Sequence, residues 1–165
     1  MRKAALAFGA VLGAASITAA AQATVHVEPA HLSGPRELAE QTQQGAIRDY
    51  LESWKTMREA LSQNQPALLN ADFVGTAKEK LTQTIHEQAA AGIHTSYTDK
   101  VHDLQILFYS PEGLSIELQD NVDYEVQVFD HDKSLSTQQV HARYIVVLTP
   151  AEVRWRVRVL QADTK

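Results

Sequence analysis

The sequence predicts an α+β domain: three N-terminal helices followed by a mainly antiparallel sheet of four to five strands. Two observations carry this. Between Arg36 and Ala91 the apolar residues recur every three or four positions, the spacing of one helix face. From Leu104 to Val159 the period drops to two, with turn sequences between the runs, as in a meander of strands. Helices gathered before the strands, rather than alternating with them, place the helices on one sheet face.

The first helix carries the stripe Ile47, Tyr50, Leu51, Trp54, Met57 and Leu61, with Glu52, Lys55 and Glu59 on the solvated side. Asn64-Gln65-Pro66 ends it and starts a short second helix through Leu68 and Leu69. The third opens at Thr76, where Thr76-x-x-Glu79 has the form of a capping box, and closes at Gly92. Among the strands, Leu104, Ile106 and Phe108 form the first run, and Ser110-Pro111-Glu112-Gly113 turns the chain. Leu114 to Leu118 and Val122 to Val128 follow, then Val140 to Leu148 beyond a polar loop at Asp130–Lys133. The last strand alternates Val153, Trp155, Val157 and Val159 with Arg154, Arg156 and Arg158.

The N-terminus marks the chain for export, to the periplasm or the extracellular space. Arg2 and Lys3 precede an apolar run that closes on Ala21-Gln22-Ala23, a signal-peptidase pattern. Residues 1–23 read as a secretory signal peptide, 24–35 as a flexible tether and 36–165 as the domain, with the mature chain beginning at Thr24. Cleavage takes the formal charge from −5 to −7, 13 basic residues then facing 20 acidic ones. That balance argues against a nucleic-acid partner. The chain has no cysteine, which excludes disulfides, thiolate metal sites and cysteine nucleophiles. About 140 residues suffice for one core-stabilised domain.

The order of elements, with its aromatic closing strand Val153-Arg154-Trp155-Arg156-Val157, resembles the NTF2-like (cystatin-like, SnoaL-type) superfamily from about Ala46 to Gln161. It is similar to the variant whose helices all precede the sheet, found at the ends of some membrane-tethered division and assembly proteins. The resemblance implies a curved sheet wrapped around a helix to enclose a cone. It implies no single function, since members include isomerases, dehydratases, hydrolases, transport adaptors and interaction modules.

Candidate functional residues are few. Asp120 shares the parity of Leu118 and Val122, so in a continuous strand its carboxylate points into the apolar face, where enzymes of that superfamily place acids. The competing and preferred reading is a three-residue hairpin loop Gln119-Asp120-Asn121, or a bulge open to water at that point. Tyr50, Trp54, Tyr124, Tyr144 and Trp155 are candidates to line a ligand cavity, against the plainer reading that they are core. The seven histidines show no metal-ligand spacing, so no metal and no cofactor is expected. His102-Asp103 is a weak candidate base, set against a strand start. Arg154, Arg156 and Arg158, with His141 and Arg143, read as cross-strand partners of Glu117, Asp123 and Glu125 rather than an anion site. Leu107, Tyr109, Ile145 and Val147 fall on the outer sheet face and form an apolar patch suited to a homodimer.

The reading that follows is a binding or interaction module for a partner protein or a small apolar ligand. The alternative is a cavity enzyme, a proton-transfer isomerase or hydrolase with Asp120 as general base. An enzyme needs at least two convergent polar groups inside the cone.

Overall fold

In the computed structural model, residues 22–30, 32, 34 and 36–163 are described. The signal-peptide expectation for Met1 to Ala21 lies outside them. Two α-helices and one 3-10 turn cover the inner face of a five-stranded sheet.

Helix α1, Glu40–Gln63, buries Ile47, Tyr50, Trp54, Met57 and Leu61 of the expected stripe, together with Ala46, while Leu51 is only half-buried. Asn64 stops it in the left-handed conformation at φ 53, and its side-chain amide donates to the Ile93 carbonyl at 2.9 Å. The expected second helix is instead a 3-10 turn, Pro66–Asn70. Proline removes an amide hydrogen at its start, and five residues are too short to close more than a tight i→i+3 turn. Leu69 and Phe73 anchor the segment in the core.

Helix α2, Gly75–Ala90, starts one residue before Thr76, and the capping box does not form. Thr76 donates its hydroxyl to the Arg158 carbonyl at 3.2 Å, so the last strand claims the side chain that sequence spacing assigned to the helix. Gly92 closes the helix with φ +71, a conformation open to glycine because it lacks a Cβ.

The strands are β1 Thr24–Val27, β2 Ile93–Tyr109, β3 Ile116–Asp130, β4 Lys133–Pro150 and β5 Trp155–Ala162, in that spatial order. Neighbours are antiparallel except β1, which lies parallel to β2. The first residues of the expected tether are therefore an edge strand: Thr24 to Val27 pair with Val101 to Leu104. Val25 and Val27 alternate with polar residues, a strand signal too short to register beside the prolines that follow.

The first sheet run extends eleven residues before Leu104, back to Ile93, so both His94 and His102 sit within β2. Two register shifts bend this strand, between Asp99 and Val101 and between Ile106 and Phe108. The second reverses parity. Tyr109, expected on the outer face, turns inward and is 8% exposed, while Arg36 lies 4.8 Å over its ring. Leu107, Ile145 and Val147 are half-buried. Val153 and Arg154 precede β5 rather than belonging to it, and Val153 is 85% exposed.

The core lies between α1 and the inner face: Leu104 and Ile106 from β2, Ile116, Leu118 and Val122 from β3, Val146 and Leu148 from β4. Among the described residues no helix is long and apolar enough to cross a membrane.

Candidate functional site

Asp120 is in the middle of a strand. β3 runs unbroken from Ile116 to Asp130, pairing Asp120 with Leu104 on one side and Tyr144 on the other. The hairpin-loop reading of Gln119-Asp120-Asn121 is thereby corrected. Gln119 and Asn121 face outward in regular alternation, and Asp120 is 0% exposed.

A buried carboxylate needs hydrogen bonds or a counter-charge, and Asp120 has both. Its Oδ2 accepts from the Tyr50 hydroxyl at 2.8 Å and from His102 Nδ1 at 2.7 Å. Tyr50 comes from the buried stripe of α1, and His102 from β2, two residues before Leu104 on the same inward face. His102 is 1% exposed, and its ring meets Trp54 edge-on at 5.0 Å. Its other nitrogen, Nε2, faces Asp99 Oδ2 at 3.7 Å, and Asp99 in turn pairs with Arg58 of α1 at 3.0 Å.

The result is a chain of alternating charge: Asp120, His102, Asp99, Arg58. Burial opposes protonation of His102, but the hydrogen bonds and charges of Asp120 and Asp99 outweigh it and push the imidazole up to about 9. His102 is an imidazolium at neutral pH. Burial, reinforced by the Asp120 charge, lifts the Tyr50 hydroxyl well above its ordinary 10, so Tyr50 remains a donor.

Three buried polar atoms in this region have no hydrogen-bond partner: Trp54 Nε1, Asp99 Oδ1 and Asp120 Oδ1. Buried polar atoms are rarely left so. Of the three, Asp99 lines a cleft of about 490 Å³ between α1 and the β1–β2 edge, together with Val25, Leu51, Glu52, Arg58 and His102 among others. Asp120 is one side chain deeper, behind His102.

The aromatic candidates divide. Trp54 has Tyr124 and Tyr144 at 5.9 Å each, and the two tyrosine hydroxyls lie 3.2 Å apart. Burial, helped by the Tyr124 hydroxyl, raises Tyr144 as well. Tyr97, which sequence reading passed over, joins this group at 5.4 Å from Tyr124. Tyr50 belongs to the charged chain instead. Trp155 is separate: its backbone N–H donates to Asp49 Oδ2 at 2.8 Å, beside a shallow pocket shared with Tyr109.

Arg154, just before β5, and Arg156, within it, are held by one acid and by backbone carbonyls. Arg154 pairs with Asp72 at 2.6 Å, and Arg156 donates to the Asn70 and Phe73 carbonyls. Only His141 takes an expected partner, Asp123; Arg143 bonds Asn121 and Asp163. His102 and Asp103 do not act together, because they face opposite ways; Asp103 pairs outside with His26 at 2.7 Å.

No protein-family model and no curated protein matches the chain. Solved structures do match in shape. The intermembrane-space region of the chloroplast protein ARC6 superposes with a TM-score of 0.61 at 12% identity, covering 79% of this chain and all of that one. A putative scytalone dehydratase from Novosphingobium aromaticivorans gives 0.52 at 15% identity, covering 76% and 89%. The Kfla4162 protein from Kribbella flavida gives 0.51 at 9% identity, covering 73% and 90%. The chain has the NTF2-like (cystatin-like, SnoaL-like) fold, α+β with a curved mixed sheet.

Proposed function

We propose that this is an exported domain whose cleft takes a small polar molecule and moves a proton on it, with His102 as donor. The observation that carries this is that His102 and Asp99 line one cleft, Asp99 with an unpartnered oxygen, while Asp120 and Tyr50 hydrogen-bond in series behind His102. Perturbed titrating groups gathered at a concavity mark functional sites. The reading departs from Asp120 as base: Asp120 holds and charges the imidazole, and the proton to be given is on Nε2, beside Asp99. A donor and a carboxylate acceptor side by side suit isomerisation of a carbonyl compound or elimination of a hydroxyl group. The charged lining favours a polar ligand over the small apolar one the sequence suggested. The likeness to a putative scytalone dehydratase is compatible with this chemistry, and the likeness to an ARC6 region with a pure interaction module; both are likenesses of fold.

The test is proton exchange. A panel of small hydroxy- and keto-compounds is incubated with the mature domain in D₂O and followed by proton NMR. Wild type should speed exchange at the carbon next to the carbonyl for at least one class. His102→Gln and Asp99→Asn should each lose on the order of 100-fold or more. Cleft signals that shift without exchange would overturn the catalytic step and leave a receptor site. Neither shift nor exchange across the panel would overturn the reading.

A further inference from the structure

β4 is eighteen residues long, yet β5 pairs only with its second half, Tyr144–Pro150. One further rung, the Asp163 N–H to the Arg143 carbonyl at 2.7 Å, ends the cover. From Lys133 to Ala142 one edge of β4 is bonded to β3, and the other carries no strand among the described residues. Lys133 to Gln139 are all exposed. A bare edge is a template for another strand, and proteins that must keep it bare usually guard it with proline or inward charge. Ser134 to Val140 contain neither proline, glycine nor charge. A register shift where β3 passes Phe129 leaves Leu135 51% exposed at the end of the run.

We propose that this edge pairs antiparallel with the same edge of a second copy, joining two five-stranded sheets into one. The occupant follows from length and charge. The free stretch is closed at one end by the β5 terminus at Arg143 and at the other by the irregularity at Leu135. A two-fold axis midway between them falls at Gln139. That register sets Gln139 against Gln139, Gln138 against Val140 and Thr137 against His141, with residues of one face meeting residues of the same face. No like charges oppose each other. The next residues outward are complementary, since Lys133 of one copy reaches the end of β5 near Asp163 of the other. Shifting the axis by one residue, to Gln138, would set Lys133 against Arg143 and repel. This edge-to-edge contact is different from the face-to-face dimer expected around Leu107, Tyr109, Ile145 and Val147, which loses Tyr109 to the core.

The absence of cysteine gives a direct test. Gln139→Cys places two thiols across the axis, and directly opposed strand residues have Cα atoms about 4.5–5.5 Å apart, within disulfide range. Mild oxidation should yield a covalent dimer in high yield, while Ile145→Cys stays monomeric. Separately, sedimentation of wild type should show a dimer. Gln139→Lys and Gln139→Glu should each weaken association by about tenfold, and an equimolar mixture should recover it. A wild type monomeric at high micromolar concentration would overturn the proposal. So would a covalent dimer from Ile145→Cys but not from Gln139→Cys, which would place the contact on the sheet face.

Discussion

The two ends of β4 obey the same alternation and meet opposite fates. Its Tyr144–Leu148 stretch lies between β3 and β5, under α1, with Val146 and Leu148 completely buried. Its Lys133–Gln139 stretch runs past the helices with both faces in solvent. A two-residue period states which residues share a face. It does not state whether anything covers that face. The same holds one strand over: Leu118, Asp120 and Val122 are consecutive inward residues of β3, all 0% exposed, and only the identity of their neighbours makes Asp120 tolerable there.

That contrast predicts the sizes of mutational effects. The largest belongs to Asp120. Asp120→Leu keeps the volume and removes the partner of a buried imidazolium and of Tyr50, which should cost about 3–5 kcal/mol. A urea midpoint within about 0.5 kcal/mol of wild type would show that the inward cluster is not charged.

The next effect depends on pH. The folded His102 binds its proton more tightly than the ordinary 6.5 of the unfolded chain and titrates at about 9. Its stabilisation is complete below about pH 6.5 and is lost as pH rises through 9, an amount of about 3 kcal/mol. The charged groups facing it are Asp120, Asp99 and, one step away, Arg58. Wild type should therefore lose stability across that window relative to His102→Gln, by thermal or urea melts. Parallel profiles for the two proteins would contradict the assignment.

The smallest effect is on the outer face. His141 and Asp123 form a hydrogen-bonded pair in β4 and β3, but both are well exposed. Asp123→Asn should change stability by less than about 1 kcal/mol. A loss as large as that of Asp120→Leu would mean that exposure is a poor guide to charge energetics in this sheet.

Much of the fold was legible because burial enforces period. Most of the stripe on α1, Leu104 and Ile106 of β2, Ile116 to Val122 of β3 and Val146 and Leu148 of β4 are readable for that reason. Phe108, expected inward, lies past a bulge that reverses parity, and Leu114, expected in the strand, is 62% exposed ahead of β3. What was missed had a competing local signal. Pro66 made a five-residue 3-10 turn look like a helix. Thr76 and Glu79 had capping-box spacing, but the β5 carbonyl won the hydroxyl. The site was half legible. Asp120 is visible by parity, but Gln119-Asp120-Asn121 also spells a turn, and that local signal competes with it. His102 lay on the parity of Leu104 and Ile106, and extending that run back by one period would have found it. Asp99 was hidden by the bulge before Val101, which breaks the count, and Arg58 by its place at the flank of the α1 stripe.

The site turns on His102 being a buried cation at neutral pH, held by Asp120 and by Asp99 at the cleft. The direct measurement is an NMR titration of the His102 ring carbon and nitrogen signals in wild type, assigned by comparison with His102→Gln. The midpoint should lie near 9, with both ring nitrogens protonated at pH 7. A midpoint at or below the ordinary 6.5, with a neutral ring at pH 7, would contradict it.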